Sequence, residues 1–204
     1  MSGSLFVISA PSGTGKTSLV KALLTELNDL EVAVSHTTRP KRQGETDKHS
    51  YYFVSESHFK QLVRAEAFIE YAKVFDHYYG TSKQAVSDQL AAGKDIILEI
   101  DWQGALQVKG LYSQAQLIFV LPPSLGVLEQ RLKLRAEDSR EVISKRLAGA
   151  IVEMQQYHHY DYLVVNDNFT TASEQIKAIV TCNRLKKLKQ EKVYHRLINQ
   201  LGIL

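Results

Sequence analysis

Apolar residues follow two rhythms along this chain. The runs Leu5-Phe6-Val7-Ile8, Asp95-Ile96-Ile97-Leu98-Glu99-Ile100-Asp101, Gln116-Leu117-Ile118-Phe119-Val120-Leu121 and Tyr162-Leu163-Val164-Val165 are short and nearly continuous, with Val32-Ala33-Val34 a shorter example. Such runs suit strands buried on both faces of a parallel sheet. Between them, apolar residues recur every three or four positions. Leu19, Leu23, Leu24 and Leu27 predict a helix over 16–28, and Leu125, Leu128 and Leu132 one that starts at Ser124. Ile143, Leu147, Ile151 and Met154 predict a long helix opened by Ser139, and a closing helix starts at Thr171. Alternating strands and helices predict an α/β architecture.

That alternation fails between 35 and 93. Tyr51–Val54 and Phe68–Phe75 read as short strands, Ser55 and Ser82 as caps of short helices, Asp76–Thr81 as a turn and Gly93 as a helix end. Ser35–Glu45 has neither period. The block is expected to be an inserted lobe. The core resumes at Asp95, with a short helix over Gly104–Leu111 and Trp102 expected inside.

The strongest chemical signal lies where the first strand meets the first helix, in Ala10-Pro11-Ser12-Gly13-Thr14-Gly15-Lys16-Thr17. Strand, glycine loop and helix in that order form a P-loop: backbone N–H groups turn inward and the positive end of the helix faces the same point. Lys16 adds a charge that reaches nucleotide phosphates, and the Thr17 hydroxyl can ligate Mg²⁺. Ala10 stands where the usual pattern starts with glycine, but Gly13 and Gly15 supply the permissive backbone near the lysine.

Further candidates follow along the chain. Arg39, Lys41 and Arg42 surround Pro40 and predict a second anion site. Glu99 and Asp101 close a strand where acidic groups organise Mg²⁺ or a polar substrate; Glu99 either acts on the ion through water or caps the strand. Arg131 and Arg135 are four apart on one helix, and Arg146 lies on the next.

With 204 residues, a net charge of +3 and one cysteine, Cys182, the chain has room for one domain and no internal disulfide framework. The opening Met1-Ser2-Gly3-Ser4 carries no basic or long apolar segment, so a cytoplasmic protein without membrane or nucleic-acid partners is expected. The basic tail from Arg184 to Lys192 reads as a solvated helix face or as a contact for RNA or a membrane surface. Leu185, Leu188, Leu197, Ile198 and Leu201 suit either core packing or the interface of a possible homo-oligomer.

Taken in order, S-A-P-S-G-T-G-K-T, S-H-T-T-R-P-K-R-Q-G-E, Y-Y-F-V, F-I-E-Y-A, Y-Y-G-T, I-L-E-I-D-W-Q-G, R-L-K-L-R and V-V-N-D span nearly the whole chain. The set resembles the bacterial guanylate kinases. The resemblance implies an α/β fold with a P-loop NTPase core and parallel sheet (1–34, 94–124 and 158–204), an inserted small α+β GMP-binding lobe (35–93) and a helical lid (125–157). It implies Mg²⁺-dependent phosphoryl transfer from ATP to GMP, with dGMP as a further acceptor.

Residue roles come from the same resemblance. The ATP site would comprise the loop from Ala10 to Thr17 together with Ser18 and Asn166, with Thr17 on the metal. Arg39, Arg42, Tyr51 and Tyr79 would hold the GMP phosphate, Ser35 and Glu70 the guanine edge, and Thr81 and Asp101 would complete that site. Lys16 and the lid arginines Arg131, Arg135 and Arg146 would be catalytic. The family often has glycine where this chain has Ala136. A catalytically lost, peptide-binding relative and a kinase for another nucleoside monophosphate are the rival readings.

Overall fold

The computed structural model describes residues 3–74, 76–135 and 140–202. Its centre is a parallel sheet of β1 (Leu5–Ser9), β2 (Leu30–Val32), β7 (Asp95–Glu99), β8 (Gln116–Leu121) and β9 (Tyr162–Val165), in the order β2-β7-β1-β8-β9. Every residue of the middle strand β1 is buried. Phe6 and Ile8 face α1 (Lys16–Glu26) and α7 (Phe169–Arg184), packing with Leu19, Leu23 and Ile176. Leu5 and Val7 face the other way, towards α3 (Lys83–Ala91) and α4 (Trp102–Leu111), with Val86, Ala105 and Val108. The period of two along a strand thus builds one core on each side.

A second sheet runs β4-β3-β6-β5, built from β3 (His36–Thr37), β4 (Tyr52–Phe53), β5 (Phe68–Val74) and β6 (His77–Ser82), with α2 (Glu56–Arg64) against it. Ser55 and Ser82 cap α2 and α3, their hydroxyls accepting from the N–H of His58 and Ala85. Gln107 of α4 ties this sheet to the core, its amide meeting both the N–H and the C=O of Tyr71 in β5 at 3.1 and 2.8 Å.

Three expectations are corrected here. The stretch expected to be a turn, Asp76–Thr81, is mostly β6, paired with β5 on one side and β3 on the other. Its Gly80 reads as a loop residue, but a Cβ there would lie 3.0 Å from Phe59 and 3.1 Å from Phe68, so the glycine serves close packing. The aperiodic segment after Ser35 likewise contributes β3. Trp102 opens α4 and is only half-buried.

Two helices, α5 (Leu125–Arg135) and α6 (Arg140–Met154), form an arm packed through Leu128, Leu132 and Ala150. Ala136 and its neighbours up to Ser139 lie outside the described residues, as do the side chains of Arg135, Arg140 and Glu141. A short 3-10 turn over Gln155–His159 leads from α6 towards β9, and α8 (Lys187–Val193) and α9 (His195–Gln200) follow α7. Leu185, Leu188, Leu197 and Leu201 remain exposed. Among the described residues no helix is long and apolar enough to cross a membrane.

Candidate active site

The loop leaves β1 and enters α1 through two left-handed glycines, Gly13 at φ 92° and Gly15 at φ 99°. Each is also sterically obliged. A Cβ on Gly15 would lie 2.7 Å from the Asn166 amide, and one on Gly13 about 3.0 Å from Leu132 of the arm. Asn166, buried just past β9, donates to the Thr14 carbonyl at 2.7 Å, and the Thr14 hydroxyl donates to the Pro11 carbonyl at 2.8 Å. Loop and strand end are therefore tied together and the arm packs against them, with Lys16 half-buried and Thr17 and Ser18 exposed at the start of α1.

Arg131 reaches back from α5 to this loop. Its guanidinium donates to the Asn166 carbonyl at 3.2 Å and to the Thr14 carbonyl at 3.4 Å. Beside it a cavity of about 340 Å³ is lined by Gly13, Gly15, Ser18, Leu134, Asp167 and Phe169, among others. Its size and mixed walls suit a small organic ligand. Asp167 and Phe169 were not expected there; the signal was their place directly after a strand of the central sheet, where ligands of α/β proteins bind.

On the other side of the loop, the Thr17 hydroxyl donates to Glu99 Oε2 at 3.1 Å. Asp101, two residues on, caps α4 by accepting from the Gly104 N–H at 2.9 Å. Against α4 stands Glu70 of β5, 2 % exposed. Its Oε1 accepts from the Thr81 hydroxyl at 2.6 Å, and Thr81 and Ser35 hydroxyls are 2.9 Å apart. Thr81 has one hydroxyl proton, spent on Glu70, so Ser35 must donate to Thr81. Burial, with a smaller push from Asp101 that the Thr81 hydrogen bond opposes, raises the Glu70 carboxyl to about 7.

The basic segment is arranged by an acid that the sequence placed in its motif without a role. Glu45 Oε1 accepts from the Arg39 guanidinium at 2.6 Å, and Oε2 from the Arg42 N–H at 2.8 Å. Arg39 is buried and also lies over the Tyr51 ring, 5.5 Å from its centroid, while the Tyr51 and Tyr79 rings stand 6.0 Å apart. The hydrogen bond from Arg39 holds the Glu45 carboxyl below the usual carboxylate range. The Arg42 side chain is exposed.

Arg146 is half-buried on α6, and the Arg135 side chain lies outside the described residues. Glu153, further along α6, escaped the sequence reading. Burial raises its carboxyl to about 7 against the pull of Lys16, with Asp101 adding to the rise. Its signal was a lone acid near the end of the arm helix, too common to single out.

Several known proteins share this organisation. A family profile described as guanylate kinase matches residues 2–183. A guanylate kinase of Psychrobacter arcticus is 54 % identical over 201 residues, spanning 98 % of this chain and 97 % of its own length. One from Methylococcus capsulatus is 53 % identical over 199 residues, 98 % of each chain. A crystal structure of guanylate kinase from Anaplasma phagocytophilum superposes with a TM-score of 0.79 at 30 % identity, covering 100 % of this chain and 97 % of that one.

Proposed function

We propose that this chain, which belongs to the guanylate kinase family, divides phosphoryl transfer from ATP to GMP between the glycine loop and the Ser35–Thr81–Glu70 relay. It is an ATP:GMP phosphotransferase. The observation that carries the division is the buried Glu70 carboxyl, held by the Thr81 hydroxyl that Ser35 backs, in a separate sheet from the loop.

Guanine offers N–H donors at its N1 and N2 edge, which an ionised Glu70 accepts, with Ser35 and Thr81 at hand as hydroxyl partners. Adenine presents an acceptor at the N1 place and leaves the carboxylate facing a lone pair, a mismatch that costs a few kcal/mol, on the order of a hundredfold or more. The monophosphate is met by Arg39, Arg42, Tyr51 and Tyr79. A planar guanidinium fork matches a phosphate, and phenols donate to its remaining oxygens. Asp101 contributes by holding the α4 terminus against Glu70.

The donor nucleotide lies along the loop from Ala10 to Thr17. Its phosphates take the loop N–H groups and Lys16, while the cavity beside Asn166, Asp167 and Phe169 accommodates the base. Thr17 and Glu99 set a hydroxyl and a carboxylate side by side, a hard-oxygen pair that suits Mg²⁺. Bound there, the ion neutralises charge on the phosphates. Ser18 lines the same cavity.

The acceptor is a phosphate oxygen that is already largely ionised near neutral pH, so no general base is required. Catalysis consists of placement and charge. Lys16, Arg131, Arg135 and Arg146 surround the migrating group and offset its spread negative charge. Water is the competing acceptor, so lobe and arm close fully only with both substrates present. We place this enzyme in the cytoplasm, acting on free nucleotides.

A coupled assay of ADP formation with ATP and Mg²⁺, comparing GMP, dGMP, AMP, UMP and CMP, tests this reading. Turnover confined to the guanine nucleotides and lost in Lys16→Ala is expected. Comparable turnover of AMP would overturn the role of Glu70.

A further inference from the structure

The basic stretch after α7, which the sequence left open as a solvated face or a contact for RNA or a membrane, lies over a cavity. This cavity, about 860 Å³ in volume, opens where β1 and β7 begin, at the end of the parallel sheet away from the glycine loop. One wall is α8. Lys186, Lys189 and Lys192 recur every third position there, so they share one side, and all three line the cavity. Lys187 does not line it and pairs instead with Glu191 at 3.4 Å. Leu5, Leu111 and Tyr112 contribute apolar walls, with Leu188 beside the lysines.

The acids around this cavity are already engaged. Asp95, 6 % exposed, accepts from the Ser4 N–H at 2.6 Å and from the Arg184 guanidinium at 2.7 Å. Asp29 pairs with Lys94 at 3.3 Å. None of the three lysines on the wall forms an ion pair among the described residues. Lys186 and Lys192 are exposed, whereas Lys189 is half-buried and donates to two neutral oxygens, the Ser4 hydroxyl and the Asn183 side-chain carbonyl. Burial lowers the pKa of Lys189 against the pull of Asp95, with Lys186 and Arg184 adding to the fall. A partly desolvated ammonium among other cations is short of counter-charge, which a bound anion would supply.

We propose that this cavity binds a small organic phosphate, its charged group held by Lys186, Lys189 and Lys192 and its apolar body resting on Leu5, Leu111 and Tyr112. A phosphate monoester carries about two negative charges near neutral pH, which suits three cations better than a single carboxylate charge does. The volume is that of a small-molecule site, and apolar walls with a few convergent polar groups are what such sites present. A concave site of this size takes neither a nucleic-acid duplex nor a bilayer surface. The lysines also lie beyond residue 183, where the match to the family profile ends. The site is thus separate from the one proposed for phosphoryl transfer and does not depend on it.

The test is isothermal titration calorimetry on the full chain with 1-naphthyl phosphate as the probe, ADP and GMP being present at saturation to fill the nucleotide sites. One probe molecule per chain is expected, with a Kd of about 0.5 mM or tighter. Inorganic phosphate lacks the apolar body and 1-naphthol the charge, so each should bind at least about tenfold more weakly. The double variant Lys186→Glu, Lys192→Glu, changed at two exposed positions, should weaken the probe about fivefold or more, while Lys187→Glu stays within about twofold. Lys189→Met should weaken it as much as the double variant; if it does not fold by circular dichroism, the double variant decides. Absence of binding overturns the proposal, as does 1-naphthol or inorganic phosphate binding as tightly as the probe. Binding unchanged in the double variant, or weakened equally by Lys187→Glu, overturns it too, since the charge would then act as a diffuse field.

Discussion

The Thr81 hydroxyl and Glu70 Oε1 lie 2.6 Å apart in a site where Glu70 is 2 % exposed. Burial raises this carboxyl to about 7, so near neutral pH the ligand-free enzyme carries a mixture of neutral and ionised Glu70. In its proposed role at the guanine edge, Glu70 must be ionised. GMP affinity should therefore rise with pH and level off above about 7, beyond the change due to the titration of GMP itself near pH 6. In Glu70→Gln the extra rise should vanish, and kcat/KM for GMP should drop about a hundredfold. Measuring KM for GMP from pH 6 to 8 in both proteins checks this.

The same group has a stability signature. A raised carboxyl stabilises the folded state fully below its unfolded value of 4.5, and that contribution disappears as pH rises through about 7. Without ligands, Glu70→Gln should melt higher than the parent at pH 8, with that advantage gone at pH 5. Calorimetry at the two pH values reads the crossover.

Glu45 and Arg39 form a different pair, 2.6 Å apart with side chains 21 % and 9 % exposed. Glu45→Gln leaves a buried guanidinium without its counter-charge, at a cost of about 1–3 kcal/mol. With Arg39 in its proposed place at the GMP phosphate, GMP would supply a replacement anion, so the loss in melting temperature should shrink when GMP is present. Because the Glu45 carboxyl is depressed, its contribution is present above pH 4.5 and fades as pH falls below that. Thermal melts with and without GMP decide it.

Gly104 tests the packing behind the relay. A Cβ there would come within 2.6 Å of Glu70 Oε2 and 3.2 Å of its Cδ. Gly104→Ala should raise KM for GMP about tenfold or more while leaving KM for ATP nearly unchanged, because the proposed role gives the displaced carboxylate to GMP only. Steady-state kinetics with each nucleotide varied in turn shows the asymmetry.

At the donor side, Lys16→Ala should lower kcat about a hundredfold to a thousandfold with little change in melting temperature. Its ammonium is half-buried beside the loop and is asked to act mainly when phosphate charge moves. Loss of activity together with loss of fold would contradict that assignment.

The parts legible in the sequence were those whose signal is local. The inner strands β1, β7 and β8 announced themselves as apolar runs, whereas β9 is an edge strand with three of its four residues exposed and β2 lies at Leu30–Val32 rather than Val32–Val34. The glycine loop showed by spacing alone, because left-handed backbone at Gly13 and Gly15 must be written into the chain. Leu19 and Leu23 showed their buried face through helical period. The order of motifs then pointed to the family and to a fold that the α/β structure bears out.

Other features came from contacts between distant segments. Asp76–Thr81 looked like a turn because tyrosines, a glycine and small polar residues carry no strand period; its neighbours β5 and β3 supply the hydrogen bonds that make most of it a strand. Glu45 showed its hold on Arg39 only once the loop had folded back on itself. The sequence by itself determined where phosphate could be held, since that needs a few adjacent residues. Tertiary structure alone decided that Glu70 is buried against Gly104, because burial and the resulting shift in protonation are properties of what surrounds a side chain, not of the chain that carries it.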